Sequence, residues 1–334
     1  MSSTFNVAIV GATGAVGVEM MKTLEKRNFP VKSLRLLASG RSAGREMHCL
    51  GQTWKIEELT ADSFKDVDIA LFSAGAGISR DFASHAMNAG AVVVDNSSAF
   101  RLQEGVPLVV PEVNPEDVKK HRGLIANPNC TTIIMLVALK PLYDLSPVRR
   151  VIVCTYQSAS GAGAKGMDEL RNQTAAYLKG EAFEPHFFQH QYAFNLFSHN
   201  TDIGENGYNT EEMKMVDETR KILHDDQIQV CPTCVRVPVL RSHAEAMVIE
   251  QERKVTVEEA LAALGKAPGI KLVNDAANNH FPMPSESNDQ YDVLVGRVRY
   301  DISSPNSLAF FVCGDQLLKG AALNTVQIAE LLTK

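Results

Sequence analysis

The sequence lacks an uninterrupted apolar run near the ~20 residues a bilayer-spanning helix needs, so no membrane span is expected. It also lacks basic excess: 33 lysines and arginines face 39 acidic residues, for a net charge of −6. Binding a phosphate backbone calls for a concentrated basic face, so a nucleic-acid partner is not expected either. Long Pro, Ser or Gln tracts are missing, and with 45% hydrophobic and 22% charged residues the composition is that of a fully folded chain. Cysteines are few, six scattered at positions 49, 130, 154, 231, 234 and 313. The opening MSSTFNVAIVGATG runs directly into a strand and turn rather than a signal peptide. A cytoplasmic setting with reduced thiols and no disulfides is therefore expected. What remains is small-molecule chemistry.

At 334 residues the chain exceeds one ordinary core and implies about two domains. In the first ~125 residues (a boundary set by the pattern), NVAIVGA, LRLLAS, DIALFSAG, AVVVDNS and GLIAN read as strands alternating with amphipathic stretches such as VGVEMMKTLEKR and SRDFASHAMNAG. That rhythm implies a Rossmann-like, doubly wound parallel sheet covered by helices. The second half carries longer strands, RRVIVCTYQSAS, IQVCPTCVRVPV, HAEAMVIEQE, VLVGRVRYD and SLAFFVCGD, which suit an α+β domain with a mixed sheet. GAALNTVQIAELL has helical spacing and is expected to fold back on the first domain. The expected division is residues 1–128 plus about 315–334 for nucleotide binding, and 129–314 for catalysis, substrate binding and dimerisation. No repeat or flexible linker interrupts it.

GATGAVG, Gly11 to Gly17, follows the strand NVAIV and opens a helix. Its glycines permit a tight turn and close approach of a pyrophosphate to a helix N-terminus, with Thr13, Gly14, Ala15 and Val16 between. After the second strand, an NAD enzyme places an acid against the ribose, whereas this chain reads LLASGRSAG, with Ser39, Arg41 and Ser42. An arginine and hydroxyls suit a 2′-phosphate, so NADP(H) is favoured; the alternative leaves Arg41 and Arg45 as solvated loop charges. Ser73, closing the strand DIALFSAG, joins the cofactor set.

Asn127-Pro-Asn-Cys-Thr-Thr precedes the apolar run IIMLVALKPLY, so Cys130 falls where a helix begins and its dipole favours a thiolate. From this segment alone, a reactive cysteine and a buried structural one are equally supported. Cys231-Pro-Thr-Cys234 has the spacing of a redox pair or half a zinc site, but it lies in a strand and nothing completes a metal shell. No metal site is expected, and Cys49, Cys154 and Cys313 read as core or surface residues.

These segments together resemble the aspartate-semialdehyde dehydrogenases. The resemblance spans essentially the whole chain, through GATGAVG, DNSSAFR (95–101), NPNCTT, TYQSASGAG (155–163), EEMKMVDETRKIL (211–223), CVRVPVLRSHAE (234–245) and GDQLLKGAA (314–322). It implies NADPH-dependent reductive dephosphorylation of 4-phospho-L-aspartate to L-aspartate 4-semialdehyde and phosphate, reversibly. The setting it implies is biosynthesis of lysine, through diaminopimelate, and of threonine and methionine.

The resemblance also implies roles. Cys130 would be the nucleophile that forms a thioacyl enzyme, and His243 the acid/base. Gln157 would orient the thioester. Arg236 would grip the α-carboxylate as a planar fork, for which lysine is a poor replacement. Glu211, or its neighbour Glu212, would approach the amino group; in isolation Glu211 and Lys214 are an ordinary i,i+3 pair. Lys214, Arg101 and Asn129 would hold the phosphate. Ser160, Gly161 and Gly163 would border the nicotinamide ribose, where glycine permits close backbone approach. Gln316 stands where the family more often has Asn, against the nicotinamide carboxamide. A homodimer is implied, with a tetramer as the alternative. N-acetylglutamyl-phosphate reductase and glyceraldehyde-3-phosphate dehydrogenase share the Cys/His logic; the Arg236 segment and the Glu211/Lys214 helix favour a substrate with a free carboxylate. A catalytically silent NADP(H) sensor would tolerate loss of Cys130 or His243, and both are present.

Overall fold

The short β-branched runs of the first half fold into a parallel sheet, as their spacing predicts. In the computed structural model, which describes residues 4–333, the chain divides into two units: residues 1–129 with 321–334, and residues 130–320. The stretch 315–320, expected with the first unit, groups with the second, where Gln316 accepts a hydrogen bond from Ser242 N–H and Asp315 one from Arg241. Asn129, expected with the second, groups with the first.

The first unit holds β1 (Phe5–Val10), β2 (Val31–Ala38), β3 (Glu46–Cys49), β4 (Gln52–Glu58), β5 (Ile69–Phe72), β6 (Val92–Asp95) and β7 (Leu124–Ala126). Helices α1 (Ala15–Lys26) and α2 (Ala76–Asn88) and a C-terminal helix, Leu323–Leu332, complete it. The order is β3-β4-β2-β1-β5-β6-β7, parallel apart from the β3–β4 pair. Without β3 this is the 3-2-1-4-5-6 order of the dinucleotide-binding fold, whose switch point lies between β1 and β5. Met20, Met21 and Leu24 of α1 share one core with Val326, Ile328 and Ala329 of the C-terminal helix. Each fully buried side chain of Leu or Met size contributes roughly 1.5–3 kcal/mol.

The β3–β4 hairpin has no counterpart among the strands read from the sequence. Its loop is Leu50-Gly51, both left-handed at φ 55° and 71°, between paired Cys49 and Gln52. Gly at the second loop position was the available signal; Leu at the first, an uncommon residue for positive φ, masked it.

The second unit runs α3 (Cys130–Leu145), β8 (Val148–Gln157), α4 (Gly163–Lys179), β9 (Phe197–Ser198), α5 (Thr210–Leu223), β10 (Gln229–Arg236) and β11 (His243–Gln251). It continues through α6 (Val257–Leu264), β12 (Ile270–Leu272), α7 (Pro284–Ser287), β13 (Val293–Tyr300) and β14 (Ser307–Gly314). Its sheet, β12-β13-β14-β11-β8-β10-β9, is mixed: β8/β10 and β12/β13 are parallel and the other pairs antiparallel. Along β8, Val151, Val153, Thr155 and Gln157 are buried, whereas Ile152, Cys154 and Tyr156 are wholly or partly exposed, the period of two that separates the faces of a sheet. Helix α3 packs on the buried face against β8, β11, β13 and β14. Ile133 to Leu139 are all fully or almost fully buried, so α3 lacks a polar stripe and is held on all sides.

Candidate active site

Three adjacent strands bring the polar groups of the second unit together. Gln157 ends β8 and is registered beside Arg236, which ends parallel β10; His243 opens β11, which runs antiparallel to β8. Cys130 is the first residue of α3, packed over the same sheet. It is a partly exposed thiol outside any disulfide, whose negative charge the helix N-terminus favours and which interacts electrostatically with the Arg236 guanidinium. Gly320 stands against it: a Cβ there would lie 2.8 Å from the Cys130 Cβ and 3.2 Å from the Gln316 Cβ.

His243 is fully buried. Its Nδ1 receives the Ser158 backbone N–H at 3.0 Å and lies 3.1 Å from the Ser158 hydroxyl. Its Nε2 has no hydrogen-bond partner. Burial, then the Arg236 charge, holds the imidazole down to about 3, with Glu211 acting in the opposite sense. Arg236 is also buried, donates from Nε to Asn200 Oδ1 at 3.4 Å and lies over the Phe188 ring at 5.6 Å. Its Nη1 is likewise unpartnered. Both nitrogens converge on one place: a Cβ on Gly161 would meet His243 Nε2 at 3.1 Å and Arg236 Nη1 at 3.4 Å. A guanidinium nitrogen and an imidazole nitrogen, both buried and unpartnered over a residue without a side chain, can receive a small oxygen-rich anion.

Gln157 bridges this pair to α5. Thr155 Oγ1 donates to Gln157 Oε1 at 3.0 Å, and Gln157 Nε2 donates to Glu211 Oε1 at 3.1 Å. Lys214 Nζ donates to Glu211 Oε2 at 2.8 Å. Capping separates the environments of Glu211 and Glu212. Glu212 completes a capping box with Asn209 and accepts the Cys234 N–H at 3.0 Å, which fixes the start of α5 and leaves Glu211 on the Gln157 side.

Four residues here were not singled out from the sequence: Ser158, His199, Asn200 and Tyr192. His199 is buried and held down to about 4 by burial and then Arg236. The Tyr192 hydroxyl is buried without a partner beside Arg236. Ser158 sits inside the quoted TYQSASGAG motif and was within reach; Asn200 and Tyr192 carried no spacing signal. Among the proposed nicotinamide neighbours, Gly161 faces His243, Gly163 takes φ +76° at the start of α4, and Ser160 and Gln316 are bound to each other.

Cys231 and Cys234 lie three apart on a strand and so point to opposite faces. Cys231 is partly exposed near the Tyr208 hydroxyl, whereas Cys234 is buried, which pushes its thiol up. Among the described residues none of the six cysteines is in a disulfide. Among the described residues no group of His, Cys, Asp and Glu side chains is placed to hold a metal ion, and no helix is long and apolar enough to cross a membrane.

In the first unit the glycine loop passes the test for a dinucleotide. A Cβ on Gly17 would lie 2.3 Å from the Gly11 carbonyl oxygen, and Gly11, at φ +86°, would press one against the Ser73–Ala74 backbone at 3.0 Å. The loops after β1 and β5 therefore touch at the switch point, with Ser73 Oγ donating to the Val10 carbonyl at 3.1 Å. Gly14 caps α1 without a side-chain hydrogen bond and no acid occupies the first turn, so the amides of Ala15 and Val16 remain for phosphate oxygens. Thr13 is exposed beside them. Ser39 and Arg41 are exposed, and Ser39 O accepts from Ser42 N–H in a turn. A carboxylate at the end of β4 lies against that loop: a Cβ on Gly40 would meet Glu58 Oε1 at 2.7 Å. Arg101 is buried in a knot, donating to the carbonyls of Asn127 and Asn96 at 3.0 Å each; Asn129 is buried as well.

A dinucleotide-binding unit joined to a unit with a helix-borne thiol and a buried Arg/His receptor defines a nicotinamide-dependent oxidoreductase that acts on a carbonyl carbon. Residues 6–121 match the family described as semialdehyde dehydrogenase, NAD binding domain, and residues 139–319 the semialdehyde dehydrogenase dimerisation domain. The chain is 53% identical over 334 residues, all of this chain and 99% of the other, to an aspartate-semialdehyde dehydrogenase of Synechocystis. The crystal structure of aspartate semialdehyde dehydrogenase II from Vibrio cholerae matches with TM-score 0.96 at 49% identity, covering 99% of this chain and 98% of that one. The same enzyme complexed with ASA matches with TM-score 0.97 at 48% identity, over 99% and 98% of the two chains. The chain belongs to the aspartate-semialdehyde dehydrogenase family.

Proposed function

We propose that this enzyme converts 4-phospho-L-aspartate and NADPH to L-aspartate 4-semialdehyde, NADP and phosphate, reversibly, through a thioester on Cys130. The observation that carries the reading is the pair of unpartnered buried nitrogens, His243 Nε2 and Arg236 Nη1, meeting over Gly161. An amino acid's α-carboxylate supplies the acceptor Arg236 lacks, and Glu211, already linked to Gln157 and Lys214, supplies a counter-charge for the amino group. Held in this way, the substrate's acyl carbon is presented to the Cys130 sulfur, and covalent attachment splits one difficult step into two. His243 acts at the reacting oxygen as the acid/base group, Gln157 orients the thioester, and Lys214, Arg101 and Asn129 receive the phosphate. Bound in the first unit, the reduced nicotinamide supplies the hydride. The exposed Arg41 favours NADP for that role.

The outward face of the second sheet supports a homodimer. Ile152, Val248, Tyr156 and Phe311 present a wholly or partly exposed apolar surface on β8, β11 and β14, of the kind an isologous interface covers.

The test is phosphate- or arsenate-dependent reduction of NADP by aspartate semialdehyde, run beside N-acetylglutamate semialdehyde. Cys130→Ser should lose nearly all activity while still binding NADP. Retained activity in that variant would refute the covalent route, and preference for the N-acetylated substrate would refute the substrate assignment.

A further inference from the structure

Beside Arg236 lies a buried hydroxyl for which the reaction as described gives no role. Tyr192 is wholly buried, yet among the described residues its hydroxyl finds no hydrogen-bond partner. Its ring packs edge-on against Phe188 and Phe197, at centroid distances of 4.7 and 5.5 Å. Phe188 also lies under the Arg236 guanidinium, and Phe197 is registered opposite Arg236 across the β9–β10 pair. Phenol and guanidinium thus share one corner. Of the ionisable groups that act on Arg236, the Tyr192 hydroxyl acts most strongly, ahead of Glu211. No hydrogen bond joins the two, however: Arg236 directs Nε to Asn200 Oδ1 and leaves Nη1 without an acceptor. Buried polar groups are normally paired, so two neighbours that leave each other unpaired mark the place of a third group that joins them.

The segment that carries Tyr192 is irregular but firmly tied. Gln173 of α4 accepts the Tyr192 and Ala193 N–H groups at 2.7 and 3.2 Å. Glu169, one turn earlier, accepts those of His186 and Phe187 at 3.0 and 3.1 Å. Both acceptors are buried, and Gln173 Nε2 donates to Glu169 Oε1 at 3.1 Å. Helix α4 begins two residues after Gly161, against which the Arg236 and His243 nitrogens converge. One helix therefore fixes both the floor of the site and the aromatic wall that holds the phenol, and a donor held by its surroundings needs little ordering when a ligand arrives.

We propose that Tyr192 is a specificity-determining residue whose hydroxyl, together with Arg236 Nη1, binds the α-carboxylate of the substrate and so selects aldehydes that carry that group. The proposal rests on the substrate assignment made above and adds to it the residue that completes the carboxylate site. An ionised carboxylate can only accept, so the phenol must donate. Burial, opposed by the Arg236 charge, pushes the phenol up, and it keeps its proton throughout the neutral range. Arg236 supplies the charge that a carboxylate needs in a dry site, and Tyr192 adds a second, fixed direction. An aldehyde without the carboxylate leaves both groups buried and unpaired, a heavier penalty than an apolar pocket imposes for a missing methylene.

The test compares full-length Tyr192→Phe with the parent enzyme on aspartate semialdehyde and on 3-aminopropanal, the same aldehyde without its α-carboxylate. Phenylalanine keeps the ring packing and removes only the unpartnered hydroxyl, so the ligand-free variant should melt no lower than the parent. KM for aspartate semialdehyde should rise roughly tenfold or more, the scale of one hydrogen bond to a charged group, with the loss in KM rather than kcat and with KM for NADP unmoved. The two proteins should treat 3-aminopropanal alike, as a substrate or as a competitor of aspartate semialdehyde. An unchanged KM for aspartate semialdehyde would overturn the proposal. So would an equal rise for both aldehydes, or a fall in kcat with a lower Tm, since each would make the hydroxyl structural. Where 3-aminopropanal neither reacts nor competes, KM and Tm decide the matter by themselves. Failure of the parent enzyme to reduce NADP with aspartate semialdehyde is a separate result, and it would refute the substrate assignment rather than the role of Tyr192 alone.

Discussion

Gly320 and Cys130 are packed backbone to side chain: a methyl group on Gly320 would come within 2.8 Å of the Cys130 Cβ, closer than real Cβ atoms approach. Gly320 lies in the π-helical turn Leu318–Ala322, a rare geometry. Cys130 cannot retreat into the sheet, because the following turns of α3 are buried. Gly320→Ala should therefore displace the thiol from its attack position. Overpacking of this kind costs about 1–3 kcal/mol of stability, and a shift near 1 Å costs on the order of 100-fold in rate. The expected outcome is a folded enzyme with kcat reduced by one to two orders of magnitude and slowed alkylation of Cys130, measured by kinetics and thiol labelling. Unchanged kcat would show that the turn can yield.

Much of this site was legible because its pieces lie in contiguous motifs. The glycine loop, NPNC and RVPVLRSHAE each announce a strand end or a helix start, so the Rossmann sheet, α3 and the separate strands β10 and β11 followed from local pattern. What escaped was set by pairing across the chain. Glu58 reaches Gly40 only because β4 lies beside β2, and Tyr192 and Asn200 meet Arg236 only because irregular segments fold over it. The β3–β4 hairpin was hidden by leucine in a left-handed position. The choice between Glu211 and Glu212 needed the capping box, which needs the helix start to be known.

That pair gives a sharp contrast. Glu211→Gln keeps the shape and a hydrogen bond to Gln157 but removes the counter-charge facing the amino group, so KM for aspartate semialdehyde should rise; losing a hydrogen bond to a charged group costs about 1.5–3 kcal/mol, roughly 10- to 150-fold. Glu212→Ala should instead leave KM near its original value and lower stability by about 1–3 kcal/mol, from the lost cap and the orphaned Cys234 N–H. Steady-state kinetics and denaturant melts on both variants separate the roles. The reverse pattern would reassign them.

In the nucleotide loop, substitutions of Arg41 and Glu58 are expected to act in opposite directions. Arg41→Ala should raise KM for NADP with little effect on NAD, by the same 10- to 150-fold scale of a charge-assisted hydrogen bond. Glu58→Gln removes a carboxylate from above Gly40 and should lower KM for NADP while weakening use of NAD, whose ribose hydroxyl a carboxylate accepts. Comparing kcat/KM for the two cofactors in three proteins checks this. Equal efficiencies in the unmodified enzyme would remove the basis for assigning Arg41 to a 2′-phosphate.

Glu245 lies two residues beyond His243 on the same face of β11, fully buried, with neither carboxyl oxygen hydrogen bonded. Burial raises it well above the ordinary value of 4.5, so the folded protein holds a neutral acid there. As pH rises through that ordinary value, the unfolded chain loses this proton while the folded chain keeps it. Stability from this group is therefore complete below the unfolded pKa and falls as pH climbs toward the folded one, by about 1.4 kcal/mol for each pKa unit traversed. Glu245→Gln is nearly isosteric and cannot ionise, so it should melt higher than the parent at pH 8, with the difference shrinking as pH is lowered toward 4.5. His243 and His199, held down to about 3 and 4, bring the opposite slope: each loses stability as pH falls below the ordinary histidine value of 6.5. Both proteins share that loss, so the difference in Tm at each pH isolates Glu245. A difference that stayed constant with pH would mean that the folded protein already ionises this carboxyl.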